Sequence, residues 1–355
     1  MLPYIVLYSM IVLLPALRIF FKNKQNYKNV YTAVIFMTLL FILGLRHPTM
    51  GNDLPGYLES YRDLYTYSWD KIFSLESYLN YEKGYIIFNK LIAQLTGCDE
   101  QLFLFICAAL SLVCVWVAIF KRSEDITLST VIYLGLPIFL LLFSGIRQSI
   151  AIGICCLSLG CVERKKFLPF ILMVLLACCF HYTAIIFVLA FLLYHLKISE
   201  KLRWILLVLF PVVFLLRGRI FLVLALIFKD TAQLQQTSAI TMMLVFAMIY
   251  IFCMVLCHEK YDQRTNGYMN IFFFAALCLI FSGVHTIAIR MGYYFMPGLM
   301  FALPLALQKV KDWRWRVLIK IGVAVCFIWF GIDCLVDTYW AKAYPYFAFW
   351  QEVIL

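Results

Sequence analysis

A chain of 355 residues that is 65% hydrophobic and only 14% charged cannot coat a globule of its size with polar side chains, which excludes an ordinary soluble domain. Its mean hydropathy of +0.91 points to the bilayer as solvent, where helices satisfy their own backbone and no polar coat is needed. The net charge of +11 falls entirely on the connections that the pattern below places in the cytoplasm, so it reads as positive-inside bias and not as a nucleic-acid patch.

Apolar runs separated by polar breaks predict spans at 2–21, 30–45, 101–120, 126–143, 148–162, 167–180, 182–196, 204–217, 238–257, 268–287, 291–307 and 317–335. An all-α integral membrane fold of about 12 transmembrane or re-entrant helices is expected, as a single polytopic domain over residues 1–355. The first run has no positive residue before it and no small-residue cleavage site after it, while Lys22, Lys24 and Lys28 lie behind it. It reads as a retained span, with the N- and C-termini of the chain outside. The cytoplasmic connections are then 22–29, 121–125, 163–166, 197–203, 258–267 and 308–316 with Lys320. A long outer loop is expected at about 46–100, rich in Tyr, Trp and acids, with helical apolar spacing over 85–95. A second outer segment is expected at about 218–237, with Arg217 and Arg219 at the interface.

Three apolar stretches are flanked by positive segments at both ends. Residues 126–162 hold one formal charge, Arg147; residues 167–196 hold none but have His181 near the middle; residues 268–308 hold only Arg290, with His285 nearby. An even number of crossings keeps both flanks inside, so each stretch reads as a hairpin with an outward tip. The second stretch is short: its length as helix is about 45 Å, against about 60 Å for two crossings. It reads as two short or re-entrant helices, a broken backbone that survives only beside protein or a water-filled cavity, with His181 lining it. The thirteen cysteines lie almost all in apolar runs and read as small hydrophobes; none pairs with His at a metal-ligand spacing.

Arg147 lies in Phe143-Ser-Gly-Ile-Arg-Gln-Ser-Ile-Ala151 and Arg290 in His285-Thr-Ile-Ala-Ile-Arg-Met-Gly-Tyr-Tyr-Phe295. An arginine costs about 2.5–3.5 kcal/mol or more at membrane depth unless paired or solvated. Each is either an interface anchor or ion pair, or a clamp whose guanidinium fork matches phosphate oxygens. His181, in Ala177-Cys-Cys-Phe-His-Tyr-Thr-Ala184, is either a satisfied structural residue or a base or diphosphate ligand. The outer segment carries Arg46-His-Pro-Thr-Met-Gly-Asn-Asp-Leu-Pro-Gly-Tyr57 and then Glu82-Lys-Gly-Tyr85. Asp53 and Glu82 are carboxylates able to deprotonate a sugar hydroxyl, or plain loop charges. Tyr57, Tyr61, Tyr65, Tyr67, Trp69 and Tyr85 suit sugar stacking or a headgroup belt.

With these motifs in this order, the chain resembles the EpsG family of bacterial exopolysaccharide polymerases, relatives of Wzy-type O-antigen polymerases. The resemblance covers most of the chain. It rests on Arg46 with Gly51, Asp53 and Tyr57; on Glu82-Lys-Gly-Tyr85; on Ile146-Arg-Gln with Ala151; on Ala177 with Phe180-His181; and on Arg290 with Tyr293-Tyr-Phe295. Asn52 stands where the family pattern has Thr, and Tyr-Thr follows His181 where a Ser is usual at the second place. The resemblance implies a GT-C-like helical bundle in the bacterial cytoplasmic (inner) membrane. It implies polyprenyl-diphosphate-linked oligosaccharide as donor and acceptor, membrane lipid as surroundings and a chain-length regulator protein as a further partner. No metal, nucleotide sugar or other cofactor is implied. Arg147, Arg290 and Arg46 would then hold diphosphate, and Asp53, Glu82 and His181 would be the candidate bases. Tyr57, Tyr85, Gln148 and Tyr294 would bind substrate. Two rival classes remain. A lipid-linked oligosaccharide flippase calls for an internal repeat and more cations within its spans. An O-acyltransferase using His181 calls for an acyl-donor route from the cytoplasm.

Overall fold

The computed structural model describes residues 1–74, 81–228, 240–258 and 260–352. In chain order the helices are α1 (Leu2–Leu13, continuing as a 3-10 turn over Leu14–Phe20), α2 (Lys24–Gly44), α3 (Leu54–Thr66), α4 (Trp69–Ser74), α5 (Lys83–Thr96) and α6 (Glu100–Arg122). Then follow α7 (Ile126–Gly135), α8 (Pro137–Leu140), α9 (Ile146–Glu163), α10 (Phe167–Cys178), a 3-10 turn over Tyr182–Val188 and α11 (Leu189–His195). The chain continues as α12 (Glu200–Phe228), α13 (Ile240–Cys257), α14 (Gln263–Ile280), α15 (Thr286–Phe295), α16 (Pro297–Gln308) and α17 (Trp313–Asp337). Among the described residues the one β pairing is an isolated bridge between Arg46 and Ala348.

Short side chains start several of these helices by accepting an orphan backbone N–H. Asn23 caps α2, Asp99 caps α6, Asp125 caps α7 and Asp262 caps α14. Among the described residues, eight helices are long and apolar enough to cross a membrane: Leu2–Phe20, Lys24–Gly44, Glu100–Arg122, Ile146–Glu163, Glu200–Val223, Ile240–Cys257, Gln263–Gly283 and Trp313–Asp337. Ile126–Gly135, Phe167–Cys178, Tyr182–His195 and Pro297–Gln308 are apolar but shorter. Against the expected dozen spans, eight helices of crossing length stand among the described residues. Leu215 on α12 and Trp329 on α17 are 79% and 68% exposed, a surface that water would not tolerate and lipid does. The protein is an all-helical integral membrane protein.

Among the described part of residues 46–100, α5 bears out the helical spacing expected over 85–95, while α3 and α4 stand where loop is expected. Leu54, Tyr57, Leu58, Tyr61 and Leu64 bury one face of α3, at helical spacing. Leu64, Ile72 and Ile86 close a small core between the three helices. The second expected segment begins as a continuation of α12, which carries Pro211 within it and runs on through Arg217 and Arg219 to Phe228. The rest of that segment, 229–237, lies outside the described residues.

The chain divides into two compact units. The first holds Met1–Gly160, Leu168–Ile185 and Gly322–Leu355. There α2 packs on α6, α3 on α5, and α7 on α17. The last contact is close because both helices present glycine: a Cβ on Gly135 would lie 2.7 Å from the Phe327 carbonyl oxygen, and one on Gly331 3.0 Å from that of Leu134. All thirteen cysteines of the chain are free thiols.

The second unit holds Cys161–Phe167 and Ile186–Ile321, with α14 at its centre against α11, α13, α15 and α16. Its interior contains Arg203, fully buried, which the sequence pattern had assigned to a connection. Its guanidinium donates to the Tyr250 hydroxyl, to Asn266 Oδ1 and, at 2.7 Å, to Asn270 Oδ1. The two asparagine amides donate in turn to the Leu196 carbonyl at the end of α11, at 2.6 and 2.9 Å. Asn270→Leu strips a buried cation of one acceptor, so the variant is expected to lose ~3 kcal/mol of stability, seen as a lowered thermal midpoint in detergent.

Candidate functional site

The site begins with a glycine. The first turn of α5 lies directly on the chain where α10 ends, and the Tyr85 N–H donates to the Cys179 carbonyl at 2.9 Å. A Cβ on Gly84 would sit 2.5 Å from Cys179 Cβ and 2.7 Å from its carbonyl oxygen, so no larger residue fits without movement. Gly84→Ala is therefore expected to cost about 1–3 kcal/mol and to lower activity by parting these segments, both measurable on purified protein.

This approach sets Glu82, the N-cap residue of α5, beside His181. Glu82 Oε1 accepts the Tyr182 N–H at 2.9 Å and lies 3.7 Å from His181 Nδ1. Its Oε2 accepts Arg147 Nη1 at 2.5 Å. Thr183 Oγ1 lies 3.1 Å from the same His181 nitrogen. The side chains of Arg147, Glu82 and His181 are only 17%, 11% and 8% exposed. One carboxylate thus joins a cation from the first turn of α9 to an imidazole from the break after α10.

Three tyrosines wall the cation. The Arg147 guanidinium lies 4.3 Å from the Tyr81 ring centre and 5.9 Å from those of Tyr57 and Tyr85. The rings also pack on one another, with centres 5.5 Å apart for Tyr81 and Tyr85 and 5.7 Å for Tyr57 and Tyr81. Arg147 Nε is 3.5 Å from the Tyr57 hydroxyl oxygen. Burial raises the Tyr57 hydroxyl above its ordinary value, partly offset by Arg147, and burial raises Tyr85 further; both stay protonated near neutrality. Such a low-dielectric wall strengthens every charge interaction inside it.

The structure therefore brings together five residues singled out in the sequence: Tyr57, Glu82, Tyr85, Arg147 and His181. Gln148, next to Arg147 on α9, is buried. Asp53 precedes α3 and is exposed, close enough to influence the Tyr57 hydroxyl, and its N–H donates to Ser144 Oγ at 3.1 Å. Arg46 is 2% exposed and donates from Nη1 to the Leu142 carbonyl at 2.6 Å, with its guanidinium 5.3 Å from the Phe143 ring centre. Arg290 and Tyr294 belong to α15 of the second unit, one turn apart; Arg290 is exposed and Tyr294 fully buried. Sequence reasoning missed Tyr81 and Thr183. The signal for Tyr81 was adjacency to Glu82; that for Thr183 was its place two residues after His181, a motif position where a Ser is usual.

A family model described as the EpsG family matches residues 29–348, nearly the whole chain. No curated protein and no solved structure matches it.

Proposed function

The chain belongs to the EpsG family, and from that premise we propose that it is an exopolysaccharide polymerase working on polyprenyl-diphosphate-linked oligosaccharides. In this reading it is a GT-C-like glycosyltransferase at the outer face of a bacterial cytoplasmic membrane, with both termini outside. What carries the reading is the Glu82 carboxylate shared between Arg147 and His181 under three tyrosines.

The acceptor sugar hydroxyl attacks the donor anomeric carbon. A new C–O bond forms there, and the bond from that carbon to the diphosphate breaks, its electron pair leaving with the lipid diphosphate. Charge builds on the leaving oxygen, where a preorganised guanidinium is worth several kcal/mol. Arg147 fills that role. The hydroxyl proton goes to His181. Glu82 and Thr183 both face Nδ1, which favours the tautomer with its proton there and leaves the Nε2 lone pair as base. Glu82 is then a positioning residue: one oxygen orients the imidazole and the other holds Arg147. Tyr57 and Tyr85, with Tyr81, offer ring faces to the sugar.

Purified protein in vesicles with lipid-linked repeat units separates this reading from its rivals. Glycan longer than one repeat supports a polymerase. Lipid moved across the bilayer without extension would mean a flippase, and an acyl ester on the glycan an acyltransferase.

A further inference from the structure

Resting on the polymerase reading, we infer that the C-terminal segment 341–349, which follows the last helix, is a strap that positions the active site from behind. The loop 45–53 joins α2 to α3 and carries Arg46 and Asp53. It is held on two sides. On one side the strap fixes it through the backbone: His47 N–H donates to the Phe347 carbonyl at 2.8 Å, Phe349 N–H to Leu45 at 2.9 Å and Gly51 N–H to Lys342 at 3.2 Å. Phe347 N–H also meets Met50 Sδ at 3.2 Å. Two hydroxyls secure the strap itself, Tyr4 to the Ala343 carbonyl at 2.5 Å and Tyr346 to the Ile42 carbonyl at 3.0 Å.

On its other side the same loop grips the chain leading into Arg147. Arg46 donates to Leu142, the Asp53 N–H donates to Ser144, and Gly51 packs so tightly on the Phe143 carbonyl that a Cβ there would sit 2.0 Å from its oxygen. Gly51 also has φ of +104°, a backbone state open to glycine and strained for other residues. Three residues beyond Ser144 stands Arg147. The path is continuous: strap, loop 45–53, residues 142–144, Arg147. Arg46 is a rivet in this path, a positioning residue and not a diphosphate ligand. Exposed Phe349 and Trp350, 44% and 66% accessible, suit anchorage of the strap at headgroup level.

A strap of this kind acts on geometry, and a misplacement of about 1 Å at the chemistry can cost on the order of 100-fold in rate. Phe349→Pro deletes the one N–H that bonds Leu45, while Phe349→Ala keeps it. The full-length chain bearing Met50→Cys reports release of the loop, because position 50 is 2% exposed. Maleimide labelling of the peptide containing residue 50, read by mass spectrometry, is expected to rise about 10-fold in F349P and not in F349A. Polymerisation per folded molecule is expected to fall at least about 10-fold in F349P, through kcat more than KM. Labelling that stays at the wild-type rate, or released labelling with undiminished polymerisation, overturns the inference. If F349P does not accumulate, Tyr4→Phe with Tyr346→Phe removes both hydroxyl anchors without touching the backbone and is judged by the same two readouts. If the wild type extends no glycan, the polymerase reading fails by itself. The strap is then judged on labelling, and equal shielding in F349P and F349A overturns it.

Discussion

Arg147→Lys is expected to lower polymerisation by about 10²–10³-fold while membrane abundance stays near wild type. Lysine keeps the charge, so a simple electrostatic anchor would survive the change. It loses the planar fork, which here donates to Glu82 from Nη1 while its face lies 4.3 Å from the Tyr81 ring centre. An ammonium on a flexible stem cannot hold Glu82, stack on tyrosine and present further N–H groups to diphosphate oxygens together. The measurement is glycan length and yield from vesicles supplied with lipid-linked repeat units, beside a quantitative blot. Wild-type length and yield in the lysine variant would remove Arg147 from the chemistry and leave it a structural ion pair.

Glu82→Gln should show a double effect. The neutral amide leaves Arg147 without its counter-charge and weakens the hold on His181. Breaking a fully buried pair costs about 3–5 kcal/mol, and the residual exposure of this pair lowers the expectation to ~2–3 kcal/mol, read as a fall in thermal midpoint. Activity is expected to fall by about 10² or more, because the base loses its orientation as well. The double variant Glu82→Gln with Arg147→Gln separates the two effects. Removing both charges should restore much of the stability and none of the polymerisation. If activity returned together with stability, the pair would be a fold device only.

Other features of the site follow from packing. The break at residues 179–181 was legible because 167–196 is too short for two crossings, and the chain does turn there between α10 and the 3-10 turn. The importance of Gly84 was not legible, although it stood inside a quoted motif. Only its contact with Cys179, about a hundred residues away in sequence, gives a reason for glycine. The burial of Arg203 was not legible for a related cause. It follows a polar stretch and reads as part of a cytoplasmic connection, and its acceptors, Asn266 and Asn270, stand one turn apart on the distant α14.

The sequence by itself determined that this protein lives in lipid, where most of its apolar runs lie, and which costly polar side chains call for explanation. Those are one-dimensional facts: hydropathy and charge act residue by residue, and the bilayer reads them directly. It also determined family membership, through motifs whose order needs no coordinates. What only the tertiary structure decided is who faces whom. Glu82, Arg147 and His181 are scattered along the chain, and their meeting depends on a glycine contact, an aromatic wall and the seating of α5 against the end of α10. A carboxylate, a cation and an imidazole are separate costs until packing brings them within hydrogen-bonding and ionic reach, where the loss of water is repaid by one another. The same holds for α3 and α4, whose polar composition suggested a loop. Amphipathic helices on a membrane protein bury tyrosines and leucines against neighbours that no local window contains.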